Sequence, residues 1–328
     1  MSRNHFAVGI GEVLMDVFEN GQVTLGGAPF NVIFHVHQLL TALSMGEAAI
    51  ISAVGPDAWG DSIRNAVAQV GMSTAWLIQV DKPTGSALVF ESGGGAGFEI
   101  KQDVAWDAID LKSDAWKLAA HCDAVVFGSL AQRSEVSRKN IQQFVSMVKG
   151  HRLYDVNLRR NTTNGVAGYS AEIIASSLKL ATVVKMNDSE LEEVAELLGI
   201  SQESQNPEER VRLFMERLRV AYSLTAVAIT RGSKGALLFS NGQQVQLPDS
   251  ALEQSLVHPV GAGDAFAAGL LFGIIQGWAP EQSLALADLI SSYVVRQISA
   301  TPSFPADLLA KIRELVHRST PIAISAQS

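Results

Sequence analysis

One cysteine, Cys122, stands in 328 residues, so no disulfide within the chain can brace the fold. It precedes the apolar stretch Asp123–Phe127 and fits a small core residue better than a nucleophile. A zinc-type site would have to come from histidine and carboxylate alone, and the seven histidines show no ligand spacing. Charge is also sparse, at 18%, and 33 acidic residues outnumber 25 basic ones for a net of −8. That balance argues against the basic face with which nucleic-acid binders hold a phosphate backbone. It leaves room for a small anion held by local cations and backbone amides. The most apolar late segment, Ala265–Ile275, is too short to span a bilayer, and the start shows neither the basic region nor the apolar run of a secretory leader. A cytoplasmic location, with no membrane partner, is the expectation. There is no repeat, low-complexity tract or charged tail. A 47% hydrophobic content supplies an ample core and excludes disorder.

Short β-rich runs alternate with helical patterns through most of the chain. Strands are expected at Phe6–Ile10, Ala48–Val54, Thr74–Gln79, Ala124–Phe127, Arg152–Val156, Thr182–Met186 and Ala226–Thr230. Helical periodicity falls between them, at Asn31–Leu43, Ser62–Val70, Ser137–Lys149, Ser170–Leu178, Ser189–Leu198 and Glu208–Tyr222. Strands that are apolar on both faces and alternate with helices indicate a covered, mostly parallel α/β sheet. After Thr230 the pattern becomes a hairpin, Ala236–Ser240 and Gln243–Leu247 about Asn241-Gly242, followed by three helices. Two stretches leave the parallel pattern. Asp16–Thr24 carries Asn20-Gly21 at its centre, and Ala87–Glu91 and Phe98–Asp103 flank Gly93-Gly94-Gly95. These hairpins form either a small sheet over the carboxyl edge of the main one, where ligands bind in open α/β folds, or two solvated surface loops.

The most informative segment is Val260-Gly261-Ala262-Gly263-Asp264, a glycine-rich turn opening into a helix. The first amides of a helix lack internal partners and sit at the positive end of its dipole. Gly261, Ala262 and Gly263 let an anion approach them, and a phosphoryl group in transfer carries charge that such a cradle stabilises. Asp264, in the first turn, can accept the proton of an attacking hydroxyl; it can equally be a helix-start residue favoured by the dipole. Behind it, Gly261, Ala265, Gly269, Gly273 and Gly277 form an i, i+4 row of tiny residues, which implies close packing against another backbone. A second cluster, Gly26-Gly27-Ala28-Pro29-Phe30-Asn31, ends a strand and opens a helix. Asn31 there can bond sugar hydroxyls, as can Asp16, or Asn31 can simply cap a helix. Asp155, Asn157 and Arg159 follow one strand, Asn187 and Glu190 the next, and Thr230, Gly232 and Gly235 the one after. Parallel strands share a carboxyl edge, so these groups converge there.

Taken together, these motifs resemble the ribokinase-like (PfkB) carbohydrate kinases, most closely the fructokinase group. The matching stretches run from Gly11-Glu12-Val13-Leu14-Met15-Asp16 through Gly26–Asn31, Ala53–Gly60, Thr84-Gly85, Gly128–Ala131, Asp155–Arg159, Asn187–Glu190, Thr230–Gly235 and Gly261–Asp264 to Ala300–Ser303, nearly the whole chain. The resemblance implies one ribokinase-like domain over residues 1–328, with a small β lid from two inserted hairpins at about residues 12–25 and 86–106. It implies an ATP-dependent sugar kinase with Asp264 as base and Gly261–Gly263 as anion hole. Asp16, Gly27, Asn31 and Arg159 correspond to substrate-contacting positions. Asn187 and Glu190 correspond to the motif that organises Mg²⁺, through water, and the nucleotide phosphates. Thr230, Gly232, Gly235 and Asp288 correspond to the nucleotide side, and the lid to a homodimer contact in several members. The chain departs from the family at His258-Pro259, where an Asp-Thr helps bind a monovalent cation, so K⁺ stays open. Asp288 replaces a common Asn, and the Trp that often follows the Asp-x-Asn-x-Arg motif is missing from Arg160–Thr163.

Two rivals fail on the residues. Gly9-Ile10-Gly11 follows a strand, yet Leu14 fills the third glycine's place and a hairpin follows, against a dinucleotide fingerprint. Gly232-Ser233-Lys234-Gly235 is not a P-loop. A kinase of another sugar or of a nucleoside, such as ribose or 2-keto-3-deoxygluconate, and a non-catalytic sugar-binding protein of the same fold remain as alternatives.

Overall fold

The computed structural model describes residues 4–92, 95–159, 168–200, 204–240, 242–248 and 260–319. Its first half holds β1 (His5–Ile10), β2 (Leu14–Phe18), β3 (Val23–Gly26), α1 (Ala28–Ala42), β4 (Gly46–Val54), α2 (Ala58–Gln69), β5 (Leu77–Gln79), β6 (Ser86–Ser92), β7 (Gly95–Ile100), α3 (Ser113–His121), β8 (Ala124–Gly128) and α4 (Glu135–Met147). The second half holds β9 (His151–Asp155), α5 (Ala171–Leu180), β10 (Val183–Asn187), α6 (Asp188–Leu198), α7 (Pro207–Tyr222), β11 (Ala226–Thr230), β12 (Ala236–Ser240), β13 (Gln243–Gln246), α8 (Ala262–Ile275), α9 (Pro280–Val294) and α10 (Ala306–Arg318).

Among the described residues nine strands form one sheet, in the order β13-β12-β11-β10-β9-β8-β1-β4-β5. Every pair is parallel except β11–β12 and β12–β13. Strands such as β8 (Ala-Val-Val-Phe-Gly) are buried at every position because helices cover both faces. One apolar layer gathers Val8, Ile10, Phe127, Phe144 and Tyr154; the opposite layer gathers Ala7, Ile33, Ala268 and Leu271. The expected strand at Thr74–Gln79 is shorter, beginning at Leu77. The Leu77 amide bonds back to the Thr74 carbonyl at 3.1 Å, a turn that delays entry into the ladder.

The two inserted hairpins form one second sheet, β3-β2-β6-β7, joined by parallel pairing of β2 with β6. Its register decides what faces the main body. Asp16 lies beside Thr24 and Ala87, and Ala87 beside Ile100, so the row Thr24–Asp16–Ala87–Ile100 shares one face. The adjacent row Val23–Val17–Leu88–Glu99 points the other way, with Val23 and Leu88 exposed. The expectation of a small sheet therefore holds. Gly93-Gly94 and Asn241 of the two other expected turns lie outside the described residues.

Candidate active site

At the mouth of α8, Gly261 takes φ +87, the left-handed region that favours glycine. A Cβ built there would sit 2.5 Å from the Cβ of Ala300, and one built at Gly263 would sit 3.0 Å from the Nζ of Lys185. Gly261 is therefore closed to larger residues, Gly263 lies tight against the lysine tip, and among the described residues the first amides of α8 have no partner. The expected close packing of the small-residue row is present: a Cβ at Gly269 would fall 2.6 Å from the Cα of Ala287 in α9. Packing of this kind holds the turn rigidly against α9.

Asp264 emerges from that first turn and lines a cavity of about 280 Å³. Its Oδ2 accepts a 2.8 Å hydrogen bond from the Nδ2 of Asn31, which lies 233 positions away in sequence. Asn31 reaches it from the first turn of α1, where Pro29 starts the helix and Gly27 takes φ +110 close against the Glu12 backbone. The Oδ1 of Asn31 is buried and has no partner among the described residues. One amide thus fixes the carboxylate and keeps an acceptor in reserve.

Strand register builds the opposite wall. Lys185 of β10 lies beside Asp155 of β9, and Asn187 beside Thr230 of β11, and period-2 alternation puts all of them on the face toward α8. The Nζ of Lys185 is 3.1 and 3.3 Å from the carboxylate oxygens of Asp155, and both residues are buried. Burial works against the ammonium, but Asp155, Glu190 and Asp264 outweigh it and raise its pKa. Lys185 is therefore a fixed cation next to the glycine cradle.

Glu12 and Asp16 approach from the small-sheet side, with Arg159 nearby. Burial pushes Glu12 up to about 7, against the backbone amides of Glu12 and Ala28 and the charge of Arg159. Burial also pushes Asp16 up to about 7; Arg159 opposes the shift and Asp264 adds to it. The Oε2 of Glu12 is buried without a hydrogen-bond partner among the described residues. Arg159 places its guanidinium 4.7 Å from the ring centroid of Phe98, a residue of β7, so this contact ties the small sheet to the main one across the cavity.

Of the residues expected from sequence, Asp16, Gly27, Asn31, Arg159, Asn187, Thr230, Gly261, Gly263 and Asp264 all line this one cavity. The others stand behind or beside it. Glu190 accepts from the amides of Leu158 at 2.7 Å and Asn187 at 2.9 Å, so its carboxylate fixes two lining segments from within. Ala262 accepts from Ser291 of α9 at 3.0 Å through its carbonyl. Gly232 and Gly235, at φ +56 and +74, shape the turn after β11. Asp288 is half-buried on α9, one turn before Ser291, and burial raises its pKa. His258-Pro259 lie outside the described residues. Lys185, Glu12 and Phe98 are additions. A lone lysine inside the apolar strand Val-Val-Lys-Met-Asn was a usable signal for the first. Nothing in the sequence showed Glu12 to be without a partner.

Among the described residues no group of three or more histidine, cysteine or acidic side chains could hold a metal. None of the described helices is long and apolar enough to cross a membrane.

The model of the pfkB family carbohydrate kinases matches residues 3–307. An uncharacterized sugar kinase of Pyrococcus horikoshii is 29% identical over 281 residues, covering 81% of this chain and 82% of its own. Its crystal structure in complex with ATP superposes with a TM-score of 0.74 at 25% identity, over 95% of this chain and 99% of that one. An ATP-dependent 6-phosphofructokinase of Thermoanaerobacterium thermosaccharolyticum is 23% identical, over 90% of this chain and 89% of its own. A fructokinase of Klebsiella pneumoniae is 26% identical, over 85% and 87%.

Proposed function

We propose that this chain, which belongs to the pfkB family of carbohydrate kinases, moves the γ-phosphoryl group of ATP onto a hydroxyl of a neutral ketohexose such as fructose, with Asp264 as general base. That it is a sugar kinase follows from the family. The acceptor and the roles of residues are the proposal. The observation that carries it is the buried Asn31–Asp264 hydrogen bond beside the bare first turn of α8.

The acceptor sugar lies between the small sheet and α1. Two buried acceptors there, Glu12 Oε2 and Asn31 Oδ1, need donors, and sugar hydroxyls supply them. Two carboxylates, Glu12 and Asp16, against one guanidinium, Arg159, favour a neutral polyol in this half. Asp264 takes the proton of the attacking hydroxyl as its oxygen bonds to phosphorus and the bond to the β-phosphate oxygen breaks. The amides of Ala262 and Gly263 and the ammonium of Lys185 offset the charge on the moving group. Asn187 and Thr230 hold the phosphate side of the nucleotide, and Gly232, Gly235 and Asp288 its ribose and base side. Asn187, from the protein side, would hold Mg²⁺ that arrives with the nucleotide, and the ion would supply further charge neutralisation. The small sheet acts as a lid, latched by Phe98 on Arg159, and excludes water that would hydrolyse ATP. Its exposed outer row, with Val23 and Leu88, forms a homodimer contact.

One observation favours a second reading. Arg159 in the cavity wall suits an acidic acceptor such as 2-keto-3-deoxygluconate. ADP release measured with Mg²⁺, with and without K⁺, over fructose, ribose, 2-keto-3-deoxygluconate and a nucleoside separates the readings. Fructose giving the highest kcat/KM supports the proposal, a preference for the keto acid supports the second, and stimulation by none removes both.

A further inference from the structure

We infer that a second cavity, of about 480 Å³ at the foot of the lid, binds the phosphate group of a small phosphorylated metabolite. Among the described residues it shares no lining residue with the catalytic cavity. Lys82, Arg133 and Arg138 line it, against the carboxylates of Asp103 and Asp107. Both carboxylates are already neutralised. Asp103 pairs with Lys82, and Asp107 lies in the fork of Arg133, accepting from Nε and Nη2 at 2.8 Å each. The Nη2 of Arg133 also donates to the Lys101 carbonyl at 2.6 Å.

Two sets of donors are left over. The Nη1 of Arg133 is buried and has no acceptor, and the guanidinium of Arg138 makes no hydrogen bond or ion pair among the described residues. Arg133 has a structural duty, since its guanidinium stacks 3.9 Å from the ring centroid of Trp106. The bonds to Asp107 and Lys101 account for Nε and Nη2 but not for Nη1 or for Arg138. The cavity is also bordered by Ser134 and Ser170, the residues preceding α4 and α5, so the positive ends of two helices open on it. Guanidinium donors with converging helix termini match the several acceptor oxygens of a phosphate monoester. The volume exceeds that of phosphate alone and leaves room for a carbon skeleton of sugar size.

Covalent continuity links the two cavities. Phe98 and Ile100 line the catalytic one, and the chain runs on from them to Gln102 and Asp103 of the second. Leu130 lines the first and Arg133, at the end of the same turn, the second. The Arg159 carbonyl accepts from the Gly168 amide at 2.9 Å, just before Tyr169 and Ser170. An anion here therefore acts on the lid's foot, whether it is a free effector or the far end of a phosphorylated acceptor.

The test is calorimetric titration of the full chain with inorganic phosphate and with fructose 6-phosphate. A saturating non-hydrolysable ATP analogue with Mg²⁺ keeps the cradle of α8 filled. Wild type should bind fructose 6-phosphate, and Arg138→Gln should weaken it by about tenfold or more. Arg138→Lys should recover part of the loss, and kcat and KM measured without added anion should stay unchanged. Absence of binding to wild type, or equal affinity in Arg138→Gln, overturns the inference, and either result is read whether or not any sugar is phosphorylated. Turnover of fructose 6-phosphate with a KM raised in Arg138→Gln identifies the anion as the acceptor's own tail. A change in fructose KM without turnover of the phosphate ester, seen in wild type only, identifies a free effector.

Discussion

Asp264 is held by the Asn31 amide, which donates one hydrogen and keeps an acceptor free, and this bond fixes the carboxylate in the position of the proposed base. Asp264→Asn keeps the shape and removes the base. Turnover followed by ADP release should fall by about 10²–10⁴-fold, while nucleotide affinity measured by calorimetry stays within a few fold. Unimpaired turnover would refute the assignment. Glu12 gives a second test at this scale. Its carboxyl, raised to about 7 by burial, binds its proton more tightly folded than unfolded. The folded state therefore holds more protons between the ordinary carboxylate range and about 7, and this group's contribution to stability declines as pH rises through that window. Glutamine does not titrate. The Tm of Glu12→Gln relative to wild type should rise from about pH 5 to about pH 8. A constant difference would place Glu12 in a solvated setting.

At the scale of elements, helix termini and strand register carry the site. Gly261 ends a loop and opens α8 at φ +87, against Ala300. Gly261→Ala adds roughly 1–2 kcal/mol of left-handed strain, besides the collision with Ala300. Activity should drop far more than Tm, because the cradle amides turn away while the core stays packed; a variant with normal kcat would separate the cradle from catalysis. The β9–β10 register sets Lys185 against Asp155 in a buried pair. Lys185→Met leaves Asp155 as a lone buried carboxylate and should lower stability by about 3–5 kcal/mol in denaturant unfolding. The double change with Asp155→Asn should recover much of that loss yet remain inactive, since the cation beside Gly263 is gone.

For the whole molecule, two sheets of different character meet over one cavity. The large sheet is covered on both faces, whereas the small one turns Asp16, Ala87 and Ile100 inward and leaves Val23 and Leu88 exposed. Val23 and Leu88 are two exposed apolar side chains of one row, and the proposed homodimer would cover them. Sedimentation velocity should show a wild-type dimer and a Leu88→Glu monomer with its fold intact. A wild-type monomer at micromolar concentration would remove the lid from the contact.

Apolar runs alternating with helical periodicity placed the parallel core, since a strand buried on both faces has few other spellings. β5 starts later than its apolar run suggests because a local turn through Thr74 competes with extension. The glycine turn before Asp264 and the Pro29–Asn31 start of α1 were legible, because bare amides and helix openings need those residue types. Sequence alone determined the covered parallel sheet, the inserted hairpins and the residue kinds gathered at the carboxyl edge. Only the tertiary structure decided that Asn31 bonds Asp264, that Lys185 rather than Glu190 meets the cradle, and that Glu12 is left with a buried free oxygen. These are distances between segments far apart in the chain, and they are set by strand register and helix packing, which local residue patterns do not encode.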